Sequence, residues 1–422
     1  MKNKFIKNTL VLIIGGFITK LLSMIIKIIM TRSITSEAIG LYMMILPTYN
    51  LFITIISGGL EVSISKLVSE NKLDKQKILV TAFSMNIILS IILILIIIIL
   101  SKPISLLLHN KELYIPILSI ILSIPFIGIS TILKGYLFGN NKMHAHVISN
   151  FFEQIIRIIL FIIFLPKMTN NIKAITFIIS SNLISELLSI FILSLYIKNI
   201  KINSFKIDKS IKKEILSISI PSTTSRLIGT ISYFFEPIVL TNLLLINGYS
   251  SKFITTEYGI LTGYTMQLLL LPSFFSMAVS QSIIPLISNA YINKKYDYIK
   301  KKIKEIILLS FSIGFLYIIL ILLKPNFFMK LIYNTTEGIR YLKIMAPIFI
   351  LLYIQGPLTS ILQSINKANE SMKATIIGTI IKLILMIILS FMHMGLYSLI
   401  IPILINIVFV TIHNLIKIIN SF

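Results

Sequence analysis

LEVSISKLVSE, residues 60–70 of this chain, recurs in related form as VSQSIIPLISN at residues 279–289. The two segments align without a gap, with serine, isoleucine and leucine at matching positions. A second pair of segments, 132–145 and 361–374, repeats in the same order. All four lie within or beside long apolar stretches, and duplicated halves in a membrane protein are typical of transporters. The repeat therefore predicts transport rather than catalysis.

The composition is that of a membrane protein. Charged residues make up 13% of the 422 residues and the mean hydropathy is +0.94, whereas soluble domains carry about 25% charged residues. Uncharged runs such as residues 87–100 recur along the chain, and a bilayer accommodates them. The first apolar run continues to about Met30 without a cleavage site, so we expect an uncleaved first helix.

Several kinds of chemistry are excluded by the sequence. There is no cysteine, so disulfides, Cys-based zinc sites and thiol catalysis are not expected. His144 and His146 are expected in a loop, without a carboxylate cluster or a Walker-type phosphate loop. We therefore expect no enzyme activity, no cofactor and no metal site. The net charge of +24 is ascribed to cytoplasmic loops and anionic lipid rather than to nucleic acid, because no soluble region is long enough for a nucleic-acid-binding domain.

The hydropathy pattern predicts an all-α polytopic protein with about twelve transmembrane helices, since each crossing needs roughly 20 apolar residues. The expected spans are residues 8–30, 39–64, 78–101, 113–137, 147–166, 173–197, 215–245, 256–289, 303–323, 339–364, 372–391 and 395–416. Pro272 is one of several prolines expected to bend their helices, and Gly58 with Gly59 is expected to permit close helix contact.

A basic connector at residues 198–213 is expected to separate two six-helix bundles, residues 1–205 and residues 206–422. Because six is an even number, both bundles start on the same side of the membrane and form a parallel repeat. Loops on the side of the termini hold roughly twice as many Lys and Arg as the opposite loops, which favours cytoplasmic termini. We therefore expect a monomeric, multi-pass protein of the cytoplasmic membrane.

Five motifs carry a family resemblance. They are Gly40-Leu-Tyr with Pro47, the segment 63–70, Lys134-Gly-Tyr-Leu-Phe-Gly139, Glu153-Gln-Ile-Ile-Arg157 and Pro221-Ser-Thr-Thr-Ser-Arg226. In order and spacing the chain resembles the stage V sporulation protein B-like and MurJ-like flippases of the multidrug/oligosaccharidyl-lipid/polysaccharide (MOP) superfamily. The resemblance implies alternating access and a lipid-linked glycan as cargo. Members near this branch often have fourteen spans, and first-helix positions that are commonly Arg are Lys20 and Lys27 here.

Three cations are the predicted substrate-binding residues. Lys20 and Lys27 stand seven residues apart in the first helix and share a face, and Arg226 matches Lys20 when residues 18–22 are aligned with 224–228. Cations on both sides of a central cavity suit a lipid-linked diphosphate, because they neutralise its oxygens in a low-dielectric site. Lysine lacks the planar fork of arginine. The alternative interpretation of Lys27 is that its side chain extends to the membrane interface instead of into the cavity.

Six further ionisable residues are candidates for a gate or for ion coupling: Glu61, Lys66, Lys134, Glu153, Arg157 and Glu236. The first three lie near predicted cytoplasmic span ends, where they form a gate or are solvated at the interface. The spacing of Glu153 and Arg157 favours an internal ion pair, with a substrate gate as the second interpretation. Glu236 is expected to pair with another helix or to bind a cation or proton.

Other polar residues in the predicted spans are harder to interpret. The hydroxyl run at residues 222–225 is expected to bond backbone carbonyls, with contact to sugar as the alternative. Glu186 and Lys382 have no partner that the sequence identifies.

These observations predict a flippase that moves a lipid-linked, undecaprenyl diphosphate-type oligosaccharide or peptidoglycan precursor through a cationic central cavity. Its expected partners are that precursor, membrane lipids and a coupling cation. Two alternatives stay open: a MATE-like cation-coupled multidrug antiporter and a non-transporting membrane scaffold for cell-wall synthesis. The positive charge of the first and seventh helices favours an anionic cargo over a cationic drug.

Overall fold

The computed structural model describes residues 2–197 and 207–421, and all regular structure in this part of the chain is helical. This confirms the predicted all-α polytopic fold. The chain divides into two compact units, Met1–Ile238 and Val239–Phe422. The predicted boundary between residues 205 and 206 lies outside the described residues and stays a prediction.

The described residues of the first unit form nine α-helices. They are α1 (Lys2–Ser33), α2 (Ser36–Ser57), α3 (Leu60–Glu70), α4 (Lys75–Leu107), α5 (Tyr114–Ser119), α6 (Ile124–Gly139), α7 (Met143–Phe164), α8 (Asn171–Leu195) and α9 (Lys209–Ile246), the last of which ends in the second unit. Short 3-10 turns at Lys111–Leu113, Ile120–Leu122 and Leu165–Lys167 complete it.

The second unit contains eight further helices. They are α10 (Ser251–Gly259), α11 (Met266–Leu269), α12 (Ser273–Ile292), α13 (Tyr296–Leu323), α14 (Pro325–Tyr333), α15 (Ile339–Ser364), α16 (Ala368–Phe391) and α17 (Tyr397–Ile419). A π-helical segment, Ile260–Thr265, joins α10 to α11.

Eleven segments of the described chain are long and apolar enough to cross a membrane. The predicted span at residues 256–289 is not among these eleven. The helix there is interrupted. It passes through the π-helical segment, ends at Leu269 and resumes only after Pro272. Proline has no backbone N–H and cannot continue the hydrogen-bond ladder of α11.

Two tyrosines satisfy the carbonyls that this interruption leaves exposed. The Tyr317 hydroxyl donates to the Leu268 carbonyl at 2.7 Å, and the Tyr353 hydroxyl donates to the Leu269 carbonyl at 2.6 Å. An unsatisfied carbonyl at membrane depth is costly, so an irregular backbone is tolerated only where protein groups replace the missing bonds. Hydrogen bonds from α13 and α15 therefore stabilise the break in this span.

The predicted second span is also interrupted, at the glycine pair that joins α2 to α3. Gly59 has φ +68°, in the left-handed region that favours glycine. A Cβ added there would lie 2.6 Å from the backbone oxygen of Ser219 in α9. The close helix contact expected at Gly58 and Gly59 is confirmed. Hydropathy did not predict the break between α2 and α3.

The core of the first unit fixes α9 against the helices that carry the ionisable residues. Ile64 of α3, Ile78 of α4 and Ile132 of α6 pack in one buried cluster with Ile211 and Ile215 of α9. In the second unit α15 is central and packs against α12, α13 and α17.

Candidate functional site

The best-defined polar feature of the first unit is a buried ionic cluster centred on α7. Glu153 is only 9% exposed, and its two carboxylate oxygens meet different cations. Arg157 Nη2 lies 3.2 Å from Glu153 Oε1, and Lys134 Nζ of α6 lies 3.4 Å from Oε2. The predicted internal pair of Glu153 and Arg157 is confirmed. Lys134 belongs to it as a third member.

Glu186 of α8 extends this cluster. It is 9% exposed and interacts electrostatically with Lys134, Arg157 and Glu153, while the Ser130 side chain contacts it. Its Oε2 atom has no hydrogen-bond partner among the described residues. A carboxylate at membrane depth is costly unless cations or hydrogen bonds compensate it, and two cations lie within range here.

Glu61 and Arg226 lie at the edge of the cluster. Glu61 interacts electrostatically with Lys134 and with Arg226, and the Nδ1 atom of His146 lies 3.8 Å from Glu61 Oε1. The backbone of Glu61 passes close to Gly135, where an added Cβ would lie 2.7 Å from the Glu61 carbonyl. Arg226, which the sequence assigned to the second bundle, belongs to α9 within the first unit.

The two lysines of α1 form a second polar feature. Lys20 and Lys27 are both exposed, and their like charges interact electrostatically, in agreement with the shared face that their spacing predicts. Ser23 lies between them on the helix, and its hydroxyl contacts Gln154 Oε1 at 3.2 Å. This contact joins the lysine face of α1 to α7, the helix that carries Glu153.

Two predicted site residues, Lys66 and Glu236, lie elsewhere, as does Lys382. Lys66 is exposed and, among the described residues, pairs with Glu70 at 4.0 Å, so it is a surface cation of α3. Glu236 is buried in α9, where it interacts electrostatically with Tyr233. Lys382 of α16 belongs to the second unit.

The hydroxyl run of α9 follows the first of its two interpretations where its bonds are described. Thr223 donates to the Ser219 carbonyl at 2.6 Å and Thr224 to the Ile220 carbonyl at 2.9 Å. Both threonines also line a cavity of about 370 Å³ between α4 and α9.

The histidine prediction was wrong. His144 and His146 lie in the first turn of α7 rather than in a loop. His144 packs edge-on against Tyr196, and His146 bonds Asn150 at 3.1 Å. The helix begins directly after the Asn141–Lys142 turn, so it includes polar residues that hydropathy alone excludes from a span.

Cations and carboxylates balance in the cluster but not on α1. Lys134, Arg157 and Arg226 face the carboxylates Glu61, Glu153 and Glu186. The lysine face of α1 adds two positive charges beside this balanced group. In chemical terms the arrangement suits an anion at α1 and a proton or cation at the carboxylates.

Helices of membrane-spanning length around buried charged groups define this class of protein: a polytopic membrane transporter. The sequence model of the polysaccharide biosynthesis protein family matches residues 5–291, and that of the MatE family matches residues 261–388. The chain belongs to the polysaccharide biosynthesis protein family, within the MOP superfamily of transporters. The expected resemblance is confirmed, and the family is one of transporters rather than enzymes.

Curated relatives agree with this assignment. The chain is 34% identical to stage V sporulation protein B of Bacillus subtilis (strain 168), over 92% of this chain and 78% of the relative. It is 25% identical to sporulation protein YkvU of the same organism, over 93% of this chain and 89% of the relative.

A solved structure shares the fold. The inward-facing conformation of a multidrug resistance MATE family transporter of the MOP superfamily matches with a TM-score of 0.74 at 17% identity. The match covers 95% of this chain and 94% of that one.

Proposed function

We propose that this transporter moves a lipid-linked diphosphate glycan or peptidoglycan precursor across the cytoplasmic membrane. The observation that carries the proposal is the exposed lysine pair of α1 beside an ionic cluster whose own charges balance. The two lysines concentrate positive charge on one helix face, where it attracts an anion.

The spacing of the pair suits a diphosphate. Seven residues of helix separate Lys20 from Lys27 by about 10 Å along the axis. Each lysine has a flexible stem and three donors, so both ammonium groups can converge on one diphosphate. Membership of a polysaccharide biosynthesis family supports a glycan attached to that diphosphate. The polyprenyl tail stays in lipid during the movement.

Coupling belongs, in this proposal, to the carboxylates of the cluster. Glu186 has one oxygen without a hydrogen-bond partner in the described chain and interacts electrostatically with Lys134 and Arg157. Uptake of a proton or a monovalent cation there changes the charge balance and so favours one transporter state over another. A ligand shifts such an equilibrium only by its difference in affinity between the states.

The test is reconstitution with a defined undecaprenyl diphosphate-sugar, scored for transbilayer movement. The double variant Lys20→Gln/Lys27→Gln should lower the rate at least about tenfold, since two charge-assisted contacts are lost. The variant Lys20→Arg/Lys27→Arg should keep most of it, because both charges remain. Lys66→Gln is the matched control, as it removes a surface cation of α3. Equal rates for the Gln double variant and the wild type would refute the proposal.

A second function, export of organic cations, is favoured by the MatE match at residues 261–388. The same vesicles distinguish it when they are loaded with a lipophilic organic cation. Efflux of that cation that survives Lys20→Gln/Lys27→Gln and is lost in Glu186→Gln would support the antiporter. Movement of the diphosphate lipid alone supports the flippase.

A further inference from the structure

A lateral groove lies in the second unit between α13 and α17. Both helices pack against α15, whose Ile361 and Leu362 belong to the buried cluster beneath them. The groove has a volume of about 570 Å³. Its lining includes Lys300, Lys304, Leu308, Phe311, Leu415 and Ile419.

One end of the groove is cationic and the rest is apolar. Lys300 and Lys304 stand four residues apart, so they share a face of α13, and both are exposed. Neither has an ion-pair partner within the described residues, whereas the neighbouring Lys302 lies 2.6 Å from Glu305. Two positive charges without an ion-pair partner in the described residues therefore lie at one end of the apolar groove.

The apolar part extends into one membrane leaflet. From Lys304 to Phe311 the helix rises about 10 Å. Half of the hydrocarbon core of a bilayer is about 15 Å thick, so this part of the groove covers roughly two thirds of one leaflet. Leu308 is 62% exposed and Phe311 is 39% exposed, which leaves both side chains open to a chain lying along α13.

We propose that this groove binds one anionic phospholipid, with the headgroup phosphate at Lys300 and Lys304 and an acyl chain along Leu308 and Phe311. Charge complementarity selects an anion, and the apolar walls select a hydrocarbon chain rather than a polar segment. The anionic leaflet of a bacterial membrane faces loops rich in Lys and Arg, as this end of α13 is. The site is separate from the lysine pair of α1 and does not depend on the identity of the cargo.

Native mass spectrometry of the full chain in detergent tests the proposal. The wild-type protein should retain phosphatidylglycerol about tenfold better than phosphatidylcholine of the same acyl chains, since each lysine near an anionic group contributes severalfold. Lys300→Gln/Lys304→Gln should bring the two lipids close to parity. Leu308→Trp, which obstructs the groove and keeps both lysines, should lower retention of both lipids.

Two controls distinguish lipid binding in this groove from general electrostatic attraction of anionic lipid to the protein. Lys295→Gln/Lys301→Gln removes the same charge from exposed positions outside the groove and should leave the preference intact. Glycerol 3-phosphate should not displace the lipid, because it has no acyl chain. Equal loss of preference in the two double variants, displacement by glycerol 3-phosphate, or unchanged retention in Leu308→Trp would each overturn the proposal.

Discussion

The single buried carboxylate of Glu153 pairs with two cations. Loss of its charge should therefore destabilise the protein more than loss of an exposed charge. Glu153→Gln keeps the shape of the side chain but removes the carboxylate that pairs directly with both Lys134 and Arg157. Removing one partner of a buried ion pair costs about 3–5 kcal/mol. We therefore expect Glu153→Gln to lower the free energy of unfolding by about 3 kcal/mol, measured by chemical unfolding in detergent.

The matched control for this substitution is Glu305→Gln. Glu305 pairs with Lys302 in an exposed position, where water already solvates both charges. Its substitution should leave the unfolding midpoint unchanged. Similar effects of the two substitutions would mean that the α7 cluster is solvated like a surface pair.

The sequence predicted part of this cluster, and the reason for the gap is physical. Spacing along one helix identifies Glu153 and Arg157, because residues four apart are neighbours on its surface. Lys134 and Glu186 come from other helices, and their approach depends on how α6, α7 and α8 pack. A single sequence contains no record of that packing, so the partners of Glu186 could not be named.

At the scale of the element, Gly59 combines two constraints in the break between α2 and α3. Its φ of +68° costs a residue with a Cβ roughly 1–2 kcal/mol. The added Cβ would also meet the backbone of Ser219 in α9, and overpacking costs a further ~1–3 kcal/mol. Gly59→Ala should therefore lower the free energy of unfolding by the sum of these two costs, as measured by thermal unfolding in detergent.

Gly248→Ala isolates the first of these effects. Gly248 has φ +84°, but nothing lies within 4 Å of the position where its Cβ would stand. This substitution should show the backbone cost alone. If Gly59→Ala were no more harmful than Gly248→Ala, the contact with α9 would not be tight.

Asp208 is the N-cap of α9, and the stability that its carboxylate adds to the start of this helix should depend on pH. Its carboxylate accepts bonds from the Ser210 hydroxyl at 2.7 Å and from the backbone amides of Ser210 and Ile211. The Ser210 hydroxyl bond, followed by these amides, lowers the pKa of Asp208 below its usual value. The stabilisation is present above the unfolded-state pKa and is lost as the pH falls through the lower folded-state pKa.

Hydrogen exchange at residues 209–215 measures this cap. Protection of the first turn of α9 should decrease in the wild type as the medium is acidified below pH ~4. Asp208→Asn should keep most of the protection and lose the pH dependence, since asparagine also caps helices but does not titrate. Asp208→Ala should lose protection at every pH. A pH response that persists in Asp208→Asn would assign it to another group.

Hydropathy predicted where most spans lie but not where two of them break. A window of about 20 residues averages over Gly58 and Gly59, and over Pro272, so each interrupted helix was expected to be continuous. The π-helical segment Ile260–Thr265 was not predicted either, because hydropathy does not distinguish a π-helical turn from an α-helical one. Such breaks depend on local backbone chemistry and on tyrosine hydroxyls from distant helices.

At the scale of the whole molecule, composition was sufficient to predict a polytopic helical membrane protein. Every crossing requires a long apolar run, and the chain is largely made of such runs. The proposed cargo does not follow from composition, because the proposal rests on a few charged residues such as Lys20 and Lys27. The ordered set of motifs added the family, which the polysaccharide biosynthesis match confirmed.

The orientation of the chain in the membrane is a whole-molecule prediction that its own composition makes easy to test. The sequence has no cysteine, so single cysteines can be introduced without removing native ones. Excess loop cations favour the cytoplasm for both termini. Lys72→Cys and Ser421→Cys should then react with a membrane-impermeant maleimide only after the cells are permeabilised.

Lys111→Cys and Lys252→Cys report from the other side and should react in intact cells. Both positions are exposed and precede spans that start at the predicted outer face. A parallel six-plus-six repeat requires position 111 of the first half and position 252 of the second to share that face. Labelling of one without the other would mean an odd number of crossings between them. That result would replace the parallel repeat with an inverted one. If position 252 were the unlabelled one, Lys300 and Lys304 would face the outer leaflet.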